Sequence, residues 1–469
     1  MGMQRIRRCL NRLPRRTWFL IALFAVMGFG VTTFTRLAES INCIILLPIE
    51  ITAAYVLWRR EGCRRDMPAV FGALILLWGL LACVINRSIL DKTAAFGFWG
   101  IAAAWFYILR TPRKIAPESI RDEFCAVCAV YLICYLPLLL IALFSLFSGV
   151  AMYLPGDNGF PVGIVAQGNL TGRFRVMDNA NDAATIEMMC VLFAVYLFIN
   201  RKQLGWRIFS VFAGLCNLMV LAHTQSRSGA ISLSIGIGVL VFRAVFARIP
   251  RKKWRVVLGV LACALAFFVV LKGVDLVRKA DIEIAKRTAI YVDESTLNDA
   301  SYADQLGQFD VGSSGRTKLW KRVSEYLMDH PRALLSGITG GNVMEIVDEG
   351  TGITTGMYNP HNSLLECITT LGTPFALLIL AFLVYMVPKC WKVLTGEGRN
   401  FEYFFVALIA CMLANSITEV NLFARYYGNN SLFMLACGYV LHACARQKAC
   451  VRSGGRIESN PQKTDKSVS

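Results

Sequence analysis

Charge is scarce in this chain. Only 17% of its 469 residues are Asp, Glu, Lys or Arg, whereas 56% are hydrophobic. Such a composition excludes an ordinary soluble domain and leaves a protein that crosses a membrane many times. Histidine is scarcer still, with four scattered copies that offer no metal-ligand spacing. A glycine-rich loop that could cradle nucleotide phosphates is also missing. None of the 16 cysteines lies between residues 274 and 360, so the one long polar stretch carries no disulfide framework. Cys125 and Cys128 lack the βαβ surroundings of a redox motif and read as packing residues. Acidic residues number 31 against 49 basic ones, a net charge of +18. A basic soluble face would point to nucleic acid. Here Lys and Arg punctuate apolar runs instead and read as topology signals, so no nucleic-acid partner is expected.

What the chain has is apolar runs, twelve of them, at 17–35, 41–58, 68–86, 93–109, 124–148, 183–200, 207–222, 229–246, 255–273, 361–387, 402–420 and 430–445. Each can cross a bilayer core of about 30 Å as a helix. The fold class expected is therefore all-α, a polytopic integral membrane protein of about twelve transmembrane helices with one large outer loop that itself contains helices. Six arginines precede the first run. That run is long, and no small-residue cleavage site separates it from the second, so it reads as a span and not as a signal peptide. Alternating sides from a cytoplasmic amino terminus puts roughly two-thirds of Lys and Arg on inner segments, which keeps both termini inside. The organisation expected is residues 1–273 as helices one to nine, 274–360 as the large outer loop, 361–446 as helices ten to twelve, and 447–469 as a disordered polar tail.

Polar residues that could carry chemistry gather at outer boundaries. His361 and Asn362 stand where the long loop re-enters the membrane, a place where a soluble group can meet a lipid-borne one. Asn362 could equally be a plain N-cap for the helix that follows. Arg173, Arg175, Asp178, Asn179, Asn181 and Asp182 precede the sixth run, and Arg227 lies in a connection so short that it sits near membrane level. In the loop, Leu319, Trp320, Val323, Tyr326 and Leu327 share one face at helical spacing, with Lys318, Lys321 and Arg322 toward the other. This predicts an amphipathic helix resting on the bilayer or against the spans. Each feature has a structural alternative, since outer arginines snorkel to headgroups and Trp320 can be an interface anchor. Together, Arg173, Arg175, Arg227, Arg316 and His361 come from four segments that a bundle could bring to one mouth. Guanidinium forks match phosphate oxygens and stay charged, which suits a diphosphate on a polyprenyl carrier.

The same residues carry a resemblance. Asn-Ala-Asn-Asp-Ala-Ala at 179–184 is similar to an N-P-N-x-L-A pattern, Thr-Gln-Ser-Arg-Ser-Gly at 224–229 to T-x-S-R-G/S, and Gly315 to Trp320 to G-R-x-x-x-W. His361 to Pro374 resembles H-N-x-x-L-x-x-x-x-x-x-G-x-x-G. In this order the four resemble the O-antigen ligase and polymerase superfamily over roughly residues 160–390. Ala180 stands where that family usually has Pro, and Pro374 where it often has a second Gly; neither departure removes a titratable group. The resemblance implies a metal-independent inverting glycosyltransferase of the bacterial inner membrane with a periplasmic active site and no cofactor. Its partners would be an undecaprenyl diphosphate-linked glycan donor, a lipid A core or other glycan acceptor, and membrane lipids. It implies His361, Arg316 and Arg227 as catalytic residues and Arg173, Arg175, Asn181, Asn362 and Trp320 as substrate-binding ones. No metal site is expected, although Asp178 and Asp182 could in principle hold Mg²⁺. An O-antigen ligase is the first expectation. A polymerase or a protein O-oligosaccharyltransferase is the near alternative, and a lipid-linked sugar transporter using Glu50, Glu187 or Glu366 the distant one.

Overall fold

The structure is a computed structural model. It describes residues 15–32, 66–86, 116–148, 150, 152–155, 161–167, 175–176, 180–250, 252–288, 316–338, 346–348, 360–396, 401–420, 422–423 and 427–452. Its helices in chain order are α1 (Arg15–Thr32), α2 (Met67–Ile85), α3 (Pro117–Ser148), α4 (Ala180–Asn200), α5 (Leu204–His223) and α6 (Arg227–Arg248). There follow α7 (Lys252–Thr288), α8 (Arg316–Asp329), α9 (Pro331–Ser336), α10 (Ser363–Leu371), α11 (Thr373–Thr395), α12 (Tyr403–Ser416) and α13 (Tyr427–Arg452). Among the described residues six helical stretches are long and apolar enough to cross a membrane: α3, α4, α5, α6, Trp254–Ile284 within α7, and α11. Shorter apolar helices are found at Met67–Ala82 and Tyr403–Ser416. The expected runs at 41–58 and 93–109, the tail from 453, and much of the 274–360 loop lie outside the described residues.

The all-α expectation needs one correction. Between α3 and α4 lie β1 (Met152–Pro155), β2 (Pro161–Gln167) and β3 (Arg175–Val176), paired antiparallel in the order β1-β2-β3. The segment is too short and too rich in Gly and Pro to extend a helix, and the Gly-Asp-Asn-Gly that joins β1 to β2 in sequence is turn chemistry.

Close contacts fix how the bundle runs. Thr185 accepts a hydrogen bond from Asn415 at 2.6 Å, and Met188 touches Cys411 at 3.6 Å, so α4 and α12 are antiparallel. Gly229 packs on Ala184, and Gly236 on Leu192 and Cys411, so α6 runs parallel to α4 and against α12. Only glycine allows backbones this near, because a Cβ at either position would press into those side chains. Gly238 lies against Cys263 and Gly259 against the Phe242 ring, which makes α7 antiparallel to α6. Arg243 near the end of α6 donates to the Leu394 carbonyl near the end of α11 at 3.2 Å. The starts of α4, α6 and α11 and the end of α12 therefore share one end of the bundle. On α7, Val257, Leu261, Leu265 and Phe268 are exposed, an apolar surface suited to hydrocarbon. Glu187, one of the residues a transporter could have used, is buried and bonded by the Tyr135 hydroxyl at 2.5 Å, a link between α3 and α4.

Two expected boundaries move. The span expected at 361–387 is two helices, α10 and α11, broken at Gly372, whose φ is 84°. A side chain there would collide with the backbone of Leu335, and one at Gly337 (φ 81°) with the backbone of Thr370. The two left-handed glycines thus let α9 cross directly over the break. Thr373 donates its hydroxyl to the Leu334 carbonyl at 2.8 Å, and Trp78 on α2 its indole N–H to the Leu371 carbonyl at 2.9 Å. The loop expected to begin at 274 begins later, because α7 continues to Thr288.

The amphipathic helix forms as α8 and takes the second of its two expected places, against protein. Leu319, Val323 and Leu327 are buried with Val347 against Leu334, Leu365 and Ile368, on α9 and α10. α10 offers an apolar face within reach, so burial there removes the stripe from water as effectively as lipid would.

Candidate functional site

The shared end of the bundle holds a polar cluster centred on a residue that the sequence reading did not single out, Glu419. Its backbone N–H bonds the Asn415 carbonyl at 3.0 Å, a last turn that continues α12 by one step and swings the side chain over the helix end. The carboxylate is buried and fully engaged. Oε1 accepts from Arg316 Nη2 at 2.5 Å and from Ser228 Oγ at 3.4 Å, and Oε2 faces His361 Nδ1 at 3.1 Å. A lone buried carboxylate would be costly, and here two cationic or donor side chains and a hydroxyl compensate it. Four chain segments meet at this one group: the starts of α6 and α8, the turn before α10, and the end of α12.

His361 is held by its neighbours on both sides. Its φ is 49°, a left-handed conformation that few residues other than glycine adopt and that tertiary contacts must maintain. Trp320 on α8 donates its indole N–H to the Pro360 carbonyl at 2.8 Å, fixing the residue before it. Asn362 donates to the Ile417 carbonyl at 2.8 Å while its oxygen accepts from the Leu365 N–H at 2.9 Å. Asn362 is thus the helix cap that the alternative reading described, and also a clasp between α10 and the end of α12. Ser363 donates to the Glu419 carbonyl at 2.9 Å and accepts from the Leu422 N–H at 3.2 Å. Three consecutive residues therefore grip the 417–422 segment, and the imidazole cannot move independently of the carboxylate.

Arg227 opens α6 with an exposed side chain. The turn before it is tight: Gln225 has φ 52°, Thr224 Oγ1 donates to the Leu221 carbonyl at 2.7 Å, and Ser226 caps the helix at Gly229 N, 3.4 Å away. Ser226 and Ser228 hydroxyls lie 2.9 Å apart, which connects this turn to Glu419. Asn181 sits one turn outward from Thr185 on α4 and receives the Thr185 hydroxyl on its carbonyl at 3.0 Å. Since α4 and α12 are antiparallel and Thr185 bonds Asn415, Asn181 stands level with Glu419. Arg175 lies in β3, its backbone paired with Gln167, while Arg173, Asp178 and Asn179 lie outside the described residues. Arg316 and His361 are thus joined through Glu419, Asn362 and Trp320 position His361, and Arg227 and Asn181 border the same end. Among the described residues no group of three His, Cys, Asp or Glu side chains could hold a metal ion.

Glu419 carried a signal in the sequence. It is an ionisable residue inside the apolar run expected at 402–420, and such residues in a span mark a function by default. Ser228 and Ser363 gave none, because a buried serine at the start of a helix is ordinary capping chemistry.

Residues 212–380 match the family model described as O-antigen ligase, which supports the resemblance to the O-antigen ligase superfamily. The match includes Arg227, Arg316, Trp320, His361 and Asn362, and ends before Glu419. No curated protein matches the chain.

Proposed function

We propose that this chain, which carries an O-antigen ligase family segment at residues 212–380, is an O-antigen ligase. It transfers a glycan from undecaprenyl diphosphate to a lipid A core sugar at the periplasmic face of the inner membrane. The observation that carries this reading is the Glu419-centred joining of His361 and Arg316 at one end of an apolar bundle. The helices up to Thr288 and those from Ser363 to Arg452 supply the spans, the residues between them the large periplasmic loop, and the residues after 452 a cytoplasmic tail.

In this mechanism Glu419 accepts the His361 Nδ1–H, which selects the tautomer with its basic lone pair on Nε2. The imidazole then takes the proton of the acceptor hydroxyl as that oxygen attacks the anomeric carbon. The bond from that carbon to the diphosphate oxygen breaks with its electron pair, and a single displacement inverts the anomeric configuration. Glu419 balances the imidazolium as it forms, as an acidic partner does for a catalytic histidine elsewhere. Arg316 keeps further N–H donors beyond the one spent on Glu419, and Arg227 projects from the positive end of α6. These two stabilise the leaving diphosphate, and Asn181, Trp320, Asn362 and Arg173 or Arg175 border the substrates. Diphosphate is already a good leaving group, so arginines suffice and no metal is invoked.

The test is transfer by purified protein from a lipid-linked donor to lipid A core. Wild-type protein should form the product with inverted linkage, and His361→Ala should lose transfer while remaining folded. Extension of the donor glycan itself, with no transfer to core, would assign the chain to the polymerases of the superfamily instead.

A further inference from the structure

The polar cluster is assembled from two bodies. His361, Arg316 and the Glu419 carboxylate between them belong with α8, α10 and the end of α12, where Asn362 and Ser363 grip residues 417–422. Asn181 and Arg227 lie in the first turns of α4 and α6, whose backbones meet where Gly229 lies on Ala184 and Gly236 on Leu192. The proposed transfer draws on both bodies, because the base stands on one and Arg227 on the other. Whatever sets the level of one against the other therefore governs the geometry of the reaction.

Apolar packing sets that level poorly. Met188 and Gly236 both meet Cys411 of α12, and contacts between such small or pliant groups have little directional preference. Hydrogen bonds are directional, and near the mouth they cross between the bodies. Ser228 reaches Glu419 at 3.4 Å, a long contact, whereas Asn415 Nδ2 donates to Thr185 Oγ1 at 2.6 Å. Asn415 is fully buried and Thr185 nearly so. Each stands one helical turn beneath a residue of the site. The Thr185 hydroxyl donates to the Asn181 carbonyl at 3.0 Å, and the Asn415 carbonyl accepts the Glu419 N–H at 3.0 Å. Asn415 Oδ1 is buried with no hydrogen-bond partner among the described residues, so the amide takes its hold from Thr185.

We propose that Thr185 and Asn415 are positioning residues of the transferase, whose bond sets the level of the His361–Glu419 pair against Asn181 and Arg227. This inference rests on the transferase reading. Because Asn362 and Ser363 hold imidazole and carboxylate on one body, loss of the bond shifts the two together. The pairing that orients the base survives, and so do the contacts within each body. What changes is the fit between base and donor, where a displacement of about 1 Å can cost on the order of 10²-fold in rate.

The experiment compares purified wild-type and variant proteins in nanodiscs, with kcat taken per folded protein and thermal melting measured beside it. Thr185→Val removes the hydroxyl and keeps the shape; it should lower kcat about tenfold or more, with donor and acceptor KM within about twofold of wild type. Thr185→Ser restores the hydroxyl and should restore kcat. Thr185→Val also leaves the Asn415 amide unpaired in the core, so its melting temperature should fall. The double variant Thr185→Val, Asn415→Leu separates stability from positioning, because two apolar side chains pack there with no unpaired group. It should regain the wild-type melting temperature and keep the low kcat, and it serves equally where Thr185→Val alone does not fold. Wild-type kcat in folded Thr185→Val, or kcat that recovers with stability in the double variant, would overturn the assignment and leave the transferase reading intact. If the wild-type protein extends the donor glycan and transfers none to core, the ligase reading fails, and a Thr185→Val loss in that extension sustains the positioning role. Wild-type protein that does neither would overturn both.

Discussion

Replacing Glu419 by Gln keeps the side-chain volume and removes the charge that joins Arg316 to His361. In the native protein the carboxylate meets Arg316 at 2.5 Å and His361 at 3.1 Å, one oxygen to each. An amide has a single carbonyl oxygen, so its NH₂ must face one of these two donors. At least one charge-assisted hydrogen bond is then lost, about 1.5–3 kcal/mol. In the proposed mechanism that loss grows as His361 takes up its proton, so it acts on the transition state. The expected fall in kcat is on the order of 10- to 100-fold, with donor and acceptor KM changed much less. Both donors are about one-fifth exposed, at 20% for Arg316 and 18% for His361, so water can reach the vacated valences and the melting temperature should change little. Glu419→Asp keeps the charge but retracts it by one methylene, about 1.5 Å, and should fall between the two. The assay is steady-state transfer from a lipid-linked donor, with thermal melting of each variant beside it. A folded Glu419→Gln protein with kcat within twofold of wild type would falsify the proposed link between carboxylate and imidazole.

Three further outcomes are expected. Arg227→Lys and Arg316→Lys keep the charge and lose the planar fork, so transfer should drop well below wild type in each; full activity in both would show that only positive potential matters. Transfer should persist in excess EDTA, and a loss that Mg²⁺ or Mn²⁺ restores would bring Asp178 and Asp182 into the reaction. Gly372→Ala should destabilise the folded protein by more than about 1 kcal/mol, since the position has φ 84° and faces the Leu335 backbone; an unchanged melting temperature would contradict the crossing of α9 over the helix break.

Features of the site that depend on local chain were legible before any coordinates. Asn362 caps α10 as its spacing suggests, and Leu319, Val323 and Leu327 face one side of α8. His361 stood out by its place where the long loop re-enters the membrane, and Arg316 by the Gly315-to-Trp320 pattern within that loop. What could not be read was that Glu419 joins them, because it is 58 residues from His361 and 103 from Arg316, and periodicity carries no information about such pairings. The surface that receives α8 was likewise invisible, since an apolar stripe is equally satisfied by lipid or by α10. The break at Gly372 was masked by the apolar residues on either side. Hydropathy measures whether a segment tolerates hydrocarbon, not whether its axis continues straight.

The crossing of α9 over the break between α10 and α11 has a consequence for biosynthesis. Gly337 leaves the ribosome well before its partner backbone at Thr370, and the hydroxyl that caps Leu334 belongs to Thr373. Until α10 has been synthesised, Leu319, Val323 and Leu327 lack the surface they pack on, and α9 has only the end of α2 to hold, through Asn86 and Arg332. Membrane insertion of the later helices is therefore the step that assembles the mouth. A chimera that exchanges the outer segment alone would separate α9 from the turn it was shaped against, so exchange should be made from Arg316 through Thr373 as a unit.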